Sequence, residues 1–517
     1  MKDGEVQTAI GRSGKSYSFV WSDDPKSGTM KEVFFAPDKS YVVAFFINAP
    51  DPKTLEKIDT LVNVYRPSVF NAQGSASGAY WSRIFCWPYD IVSWQNRIGL
   101  VVPAYAKNFF FQSPPKKGKE KKSSWYMKPE LKYYLSVPQL EVGDWKNMLT
   151  ACLLLSRGIR KLHFMGLAHS DLSGNNVLVD AVTGATAIID IDGLVVPDKF
   201  NAEVLGTPGY IAPEVLSSEG KKYTPSIDTD KHALSVLIYQ LLLCRHPLEG
   251  KNRFGDEQTD KDMGADAVFI ENPIDKATRY DSRWVKKAYE RQGPAKAKDL
   301  PYVFPWRDLD KLPYTSLGPY LSEVIERAFV KGLHNPAKRP SASDWEKALD
   351  RTLELLHPCE NPKCLAKWFI FQPGKPPICP FCGTRIRHSI PVLNCMRKNR
   401  SGVWEYEAVS ISSLNGSIRN VRGQVVLSDR VKLYPSHAYD NLPSRECRTV
   451  KQLTPLAQIL RNGDVWGIVN LASPNMILSK NGKSIVVKKG EGKCLSSGLR
   501  IQLDGPNSRI LEVEIMK

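Results

Sequence analysis

The sequence predicts a two-lobed α+β domain, followed by a small four-cysteine unit and an all-β sandwich. Three observations carry this. Short β-prone runs crowd the first hundred residues and give way to long apolar helices with one strand-rich hairpin between them. Two cysteine pairs bunch within 359–382. Beyond 390 the chain alternates in short runs (VWEYEAVSI, GQVVLSD, VWGIVNL, KSIVVKK, RILEVEIM) between Gly, Asn and Pro turns, the pattern of a sandwich. The expected segments are 1–112 for the first lobe with its hinge, 113–356 for the second, 357–388 for the cysteine unit and 389–517 for the sandwich.

In the first lobe, MKEVFFA (30–36) and YVVAFF (41–46) read as strands. TLEKIDTLVNVY (54–65) has amphipathic spacing, with Leu55, Ile58, Leu61, Val62 and Tyr65 on one face. PPKKGKEKKSSWYMKP (114–129) carries six Lys and no apolar period, so it reads as a solvated surface loop rather than a nucleic-acid patch. In the second lobe, 145–166 and DKHALSVLIYQLLLC (230–244) are rich enough in Leu, Ile and Val to be buried helices. HSDLSGNNVLVDAVTGATAIIDIDGLVV (169–196) is the hairpin, with its turn at Val182–Gly184.

A chain that is 42% apolar and 24% charged over 517 residues is neither collagen-like nor fully disordered nor a coiled coil. Lys+Arg 71 against Asp+Glu 54 leaves +17, which suits a phosphorylated ligand, nucleic acid or an acidic partner without choosing among them. The longest apolar run, Ala233–Cys244, is too short for a membrane span and is interrupted by Ser235 and Gln240. The N-terminus lacks a hydrophobic signal core. A cytoplasmic, reducing setting is expected.

Phosphoryl transfer needs a carboxylate to orient the acceptor hydroxyl, oxygen ligands for Mg²⁺ and positive charge over the phosphates. HSDLSGNNVLVD (169–180) offers Asp171 and Asn176 at suitable spacing. After a short strand, DIDG (190–193) supplies further carboxylates, and GTPGYIAPE (206–214), Asp230 and Arg339 follow in order. Across about residues 20–355 this ordered set resembles the protein-kinase family. The resemblance implies a protein-kinase-like fold, ATP and Mg²⁺. Asp171 would be the base, and Asn176 and Asp190 the metal ligands. Asp192 would be a second ligand or the first polar residue of the activation segment. Gly28 and Val33 would lie in the glycine loop KSGTMKEVF (26–34), Ala44 on the next strand, and the Pro103 carbonyl and Tyr105 amide would face adenine.

Departures from the family pattern are as informative. In VVAFF (42–46), Phe46 stands at the position of the phosphate-binding Lys. Lys31, in the glycine loop, is the expected replacement, as in kinases of the with-no-lysine group, with Glu56 as its ion-pair partner and Asp59 as a competitor. Ser170 replaces the Arg of H-R-D, and Ser173 the Lys two residues past the base. Thr207 is the sole hydroxyl within 194–207, so activation by loop phosphorylation is not expected. Besides an active serine/threonine protein kinase, these departures admit a nucleotide-binding pseudokinase scaffold. They also admit a small-molecule phosphotransferase, against which the A-P-E segment and Arg339 argue.

Cys359, Cys364, Cys379 and Cys382 form C-x4-C and C-x2-C pairs fourteen residues apart. Four thiolates suit structural Zn²⁺, and a unit this small lacks the core to fold alone. The alternatives are two disulfides or free thiols; His357 and His388 read as bystanders. Segments 456–487 and 495–503 resemble the second half of forkhead-associated domains. Asn475 matches their phosphothreonine-binding Asn and Ser473 lies beside it, although LTPLA (453–457) replaces the upstream S-R-x-H-A; a sandwich that only docks is the alternative. The domain order resembles bacterial kinases of the tellurite-resistance-associated phosphorylation triad. That resemblance implies a Thr or Ser substrate on a von Willebrand A-type protein and a metal-dependent phosphatase as neighbour.

Overall fold

The computed structural model describes the chain except residues 1, 29, 72–74, 129–137, 197–198, 201, 203–204, 219, 221, 250–262, 275–281, 304–305, 413, 415 and 517. It resolves into two compact units: Met1–Gly143 with Thr150–Arg307 and Arg327–Glu346, and Asp144–Leu149 with Asp308–Glu326 and Lys347–Lys517.

The first unit opens with strands β1 (Val6–Gly11), β2 (Ser16–Val20), β3 (Lys26–Ser27), β4 (Lys31–Phe35) and β5 (Tyr41–Phe46), then helix α1 (Pro52–Thr60), β6 (Asp90–Trp94) and β7 (Arg97–Pro103). They form one antiparallel sheet in the order β2-β1-β6-β7-β5-β4-β3. β5 is paired on both edges, which is why its sequence is almost wholly apolar. One face packs Phe19, Phe34, Val43, Phe45, Val92 and Val101 together. On the other, Phe46, Ile91 and Leu100 meet Ile58 and Val62 from the helical segment.

Helix α1 begins where Asp51 accepts the Lys53 and Thr54 N–H groups at 2.8 and 3.0 Å, with Pro52 in the first turn. The predicted helix over 54–65 does not continue as one. A π turn spans Leu61–Tyr65 and an α turn follows over Arg66–Phe70. The wider turn breaks the 3.6-residue register. Ile58, Leu61 and Val62 are therefore buried as expected, while Tyr65 is only half-buried.

The second lobe is built on α2 (Trp145–Phe164) and α3 (Ile227–Leu243), with the hairpin β8 (Val177–Asp180) and β9 (Ala185–Ile188) between them. Its turn uses Gly184 at φ 77°, a left-handed position that favours glycine. The Lys-rich segment is solvated as expected at Lys117, Lys119 and Lys128 but not at Lys121. Lys121 is buried, 3.5 Å from Asp180 and 3.8 Å from Glu141, and Lys116 lies 4.4 Å over the Trp125 ring. Two buried carboxylates require a cation, and a Lys stem is long enough to supply it.

In the second unit, two antiparallel sheets enclose one core. The larger pairs Ile390–Lys398 with Ile510–Met516, Gln424–Val426 and Trp404–Tyr406, and continues through Arg500–Gln502, Met476–Lys480 and Lys483–Val487. The smaller runs through Lys432–Leu433, Ala457–Asn462, Val465–Asn470 and Gly492–Cys494. Leu393, Ile459, Trp466, Ile468, Leu478, Ile501 and Leu511 fill the space between them.

His437 Nε2 lies 3.1 Å from Glu354 Oε2 within this unit. Burial works against both charges, but each group outweighs that effect on the other: the His437 pKa is raised and the Glu354 pKa lowered. The sign follows for each group. The His437 contribution is complete below its ordinary 6.5 and lost as pH rises through the raised value. The Glu354 contribution is complete above its ordinary 4.5 and lost as pH falls through the lowered one. His437→Gln therefore lowers the melting temperature more near pH 6 than near pH 9, a difference that melts across pH detect.

Candidate active site

The loop before β8 is fixed by a buried carboxylate from α3. Asp230 accepts the N–H groups of His169 (2.7 Å) and Ser170 (3.2 Å) and meets His163 Nε2 at 3.1 Å. His169 Nε2 lies 2.9 Å from the Ile189 carbonyl oxygen, joining the loop to the end of the hairpin. These contacts hold Ser170 in the left-handed region, φ 64°. The next residue, Asp171, then accepts from the Asn176 amide at 2.8 Å and the Thr207 hydroxyl at 2.6 Å. Gly206, at φ 114°, permits that approach, because a Cβ there would meet the Ser170 carbonyl oxygen at 3.3 Å.

Asp190 follows β9 in the left-handed region (φ 61°, ψ 40°), and Ile191–Gly193 forms a 3₁₀ turn. Desolvation, and then the neighbouring Asp192 charge, raise the Asp190 pKa. Asp190 is exposed and Asp192 half-buried; the Lys31 ammonium more than offsets the desolvation of Asp192 and lowers its pKa, with a further contribution from Lys57. Two neighbouring carboxylates, one of them half-buried, are a donor set that fits a divalent cation. Burial and the same two acids help to raise the Tyr105 pKa, so the predicted hinge residue belongs to this environment. The Ala104 N–H is taken by the Ser40 carbonyl oxygen at 3.2 Å.

Lys31 stands directly across the β4–β5 ladder from Phe46. Opposed residues in an antiparallel pair share a face, so the ammonium missing from β5 is restored one strand away on the same side. It lies 5.3 Å over the Phe46 ring and pairs with Asp192. Val33 opposes Ala44 two rungs on, and the Gly28 N–H bonds the Lys31 carbonyl oxygen at 2.9 Å.

The expected Lys31–Glu56 pair is not the one formed. Glu56 is exposed and pairs with Lys199 at 2.9 Å, and Asp59 pairs with Arg12 at 2.9 Å. The cause is helix phase: α1 turns Lys57 and Ile58 inward, which carries the carboxylates on either side out toward solvent. Sequence reading missed the Asp192 pairing, Lys57 and the Thr207 bond. The second carboxylate of IDIDG was its sole visible trace.

Arg339, 1% exposed at its side chain, grips Glu214 of the A-P-E segment in a fork (2.8 and 2.7 Å) and bonds the carbonyls of Gly332, Asp228 and Leu333.

In the second unit the four cysteine sulfurs lie within 4.8 Å of one another. The Cys359–Cys382 and Cys364–Cys379 separations are 3.5 and 3.8 Å. A disulfide needs about 2.05 Å. A tetrahedron with bonds of about 2.3 Å has edges of about 3.8 Å, so the set fits a closed S₄ ion. Further along, Ser473 is buried, its oxygen accepting the Asn475 N–H at 3.2 Å, and Asn470 beside it bonds Ser473 and Val487 carbonyls. Ser473 is thus engaged within the fold, while Asn475 is exposed.

Residues 119–344 match the family described as "Protein kinase domain". The fold is protein-kinase-like. The chain is similar to serine/threonine-protein kinase H1 of Homo sapiens, 41% identical over 102 residues, 19% of this chain and 23% of that protein. It is similar to protein kinase C delta type of Homo sapiens, 31% identical over 134 residues, 25% of this chain and 17% of that protein. It therefore spans no more than about a quarter of these relatives. Among solved structures it is similar to ROP2 from Toxoplasma gondii, described as a virulence factor with a protein-kinase fold and no enzymatic activity. There the TM-score is 0.37 and the identity 12%, covering 68% of this chain and 88% of that one. Among the described residues no helix is long and apolar enough to cross a membrane.

Removing Arg339 leaves Glu214 and three backbone carbonyls without their cation. Arg339→Met is expected to cost about 3 kcal/mol or more in urea unfolding.

Proposed function

We propose that this chain is an ATP-dependent protein kinase of serine/threonine type. One observation carries the reading: Lys31 faces the Asp190–Asp192 pair from the rung opposite Phe46, returning a phosphate-binding cation to a site that otherwise keeps its acids. Asp171 would receive the acceptor hydroxyl, its orientation held by Asn176 and Thr207. Asn176 and Asp190 would hold Mg²⁺, which supplies charge neutralisation on the phosphates when bound. Lys31 would bind phosphate oxygens, with Val33 and Ala44 lining the adenine side. The Pro103 carbonyl and Tyr105 amide would orient the base.

The test is transfer of labelled γ-phosphate, to the chain itself or to a generic protein acceptor, with intact-mass detection. Asp171→Ala is expected to lower the rate roughly 10²- to 10⁴-fold; an unchanged rate removes the assignment. A second reading, a nucleotide-binding scaffold, is favoured by Phe46, Ser170 and Ser173. Mg²⁺-dependent ATP binding without any transfer would establish it.

The four cysteines would carry one structural zinc. Elemental analysis of the purified chain is expected to give one zinc per molecule. Cys364→Ser is expected to lose the metal and lower the melting temperature; a metal-free wild type with the same melting temperature would reject this. A von Willebrand A-type substrate protein, a metal-dependent phosphatase neighbour and a cytoplasmic setting remain part of the proposal, supported by the domain order alone.

A further inference from the structure

We infer that the acid partner of the phosphate-side ammonium has left the helix together with the ammonium's departure from β5. Asp192 is the positioning residue for Lys31, and the inward face of helix α1 carries an ammonium, Lys57, rather than a carboxylate. The inference rests on the proposed function and deepens it.

Three observations meet. First, Lys31 and Asp192 pair with side chains only 17% and 16% exposed, so the contact is shielded enough to fix the Lys rotamer. Second, the two acids of α1 are otherwise engaged and face solvent: Glu56 with Lys199 and Asp59 with Arg12, all four side chains 42% exposed or more. Successive helical residues differ by about 100° in direction. With Lys57 and Ile58 buried, no small rotation of α1 returns Glu56 without unseating Ile58 from Phe46 and Val62. Third, Lys57 is itself buried, so the inward face of α1 carries an ammonium where a carboxylate would be needed.

The consequence is mechanical. An acid carried on the helix makes the ion pair depend on where the helix sits. Asp192 is instead two residues past Asp190, on the 3₁₀ turn that the hairpin delivers. Whatever sets Asp190 in place also sets the partner of Lys31.

The test is a pair of double-mutant cycles on the full chain, reading kcat and KM for ATP together with affinity for a non-hydrolysable ATP analogue, with melts as a folding control. Asp192→Asn is expected to lower kcat roughly 10- to 100-fold and Asp192→Glu to recover most of it. Lys31→Met combined with Asp192→Asn should be no worse than Lys31→Met alone, because the two act as a unit. Lys31→Met and Glu56→Gln should multiply as independent changes. Multiplying losses for Lys31 and Asp192, or a Glu56→Gln loss absorbed by Lys31→Met, overturn the pairing while the kinase reading stands. A wild type that neither binds the analogue nor transfers phosphate overturns that reading, and the pairing with it.

Discussion

The site depends on one buried carboxylate. Asp230, 1% exposed, spends its oxygens on two consecutive backbone N–H groups and a histidine. A buried backbone donor left without an acceptor costs roughly 1–3 kcal/mol, so a single α3 side chain decides the path of the loop that presents Asp171. The path is one the backbone would not choose alone, since Ser170 and Asp190 both sit at left-handed φ. Strain of this kind persists only where the surroundings over-determine it. Here they are α3 beneath, the His169–Ile189 bond at the side and the Ser170 hydroxyl on the Gly193 carbonyl oxygen at 3.2 Å.

Magnitudes decide what seats helix α1. Its exposed ion pairs, Glu56–Lys199 and Arg12–Asp59, are each worth at most about 1 kcal/mol. Burying Ile58 and Val62 against Phe46 is worth about 1.5–3 kcal/mol per side chain. Packing therefore sets the helix phase and the charges follow it. The loss of Lys from β5 also has a packing role: Phe46 fills the space under the helix and gives Lys31 an aromatic face to lie on.

What the sequence disclosed follows from local motifs. Lys31 was read from its place in the glycine loop and the resemblance to kinases that relocate their Lys, and its rung opposite Phe46 came only from the structure. The loop from His169 to Asn176, the hairpin turn, and the cysteine cluster were legible because their chemistry depends on short fixed spacings. Glu56 was not, because a helical face is defined to within about one residue, and one residue separates Glu56 from Lys57. The π turn over Leu61–Tyr65 adds to that uncertainty and has no marker in LVNVY. Lys121 was misread for a related reason. A Lys-rich run is normally solvated, and the carboxylates that bury this one, Glu141 and Asp180, lie 20 and 59 positions away in the chain.

Ser170 stands where the family pattern has the Arg of H-R-D. An Arg at that position would be a cation seeking a phosphorylated loop. With Ser there, the described part of the segment is held by contacts internal to the chain. The Thr207 hydroxyl lies on Asp171, Ser170 bonds Gly193, Val195 bridges Ala168, and Glu214 is gripped by Arg339. Each joins the segment to the helical lobe through groups already present. The described part of the segment is thus held by contacts within the unmodified chain.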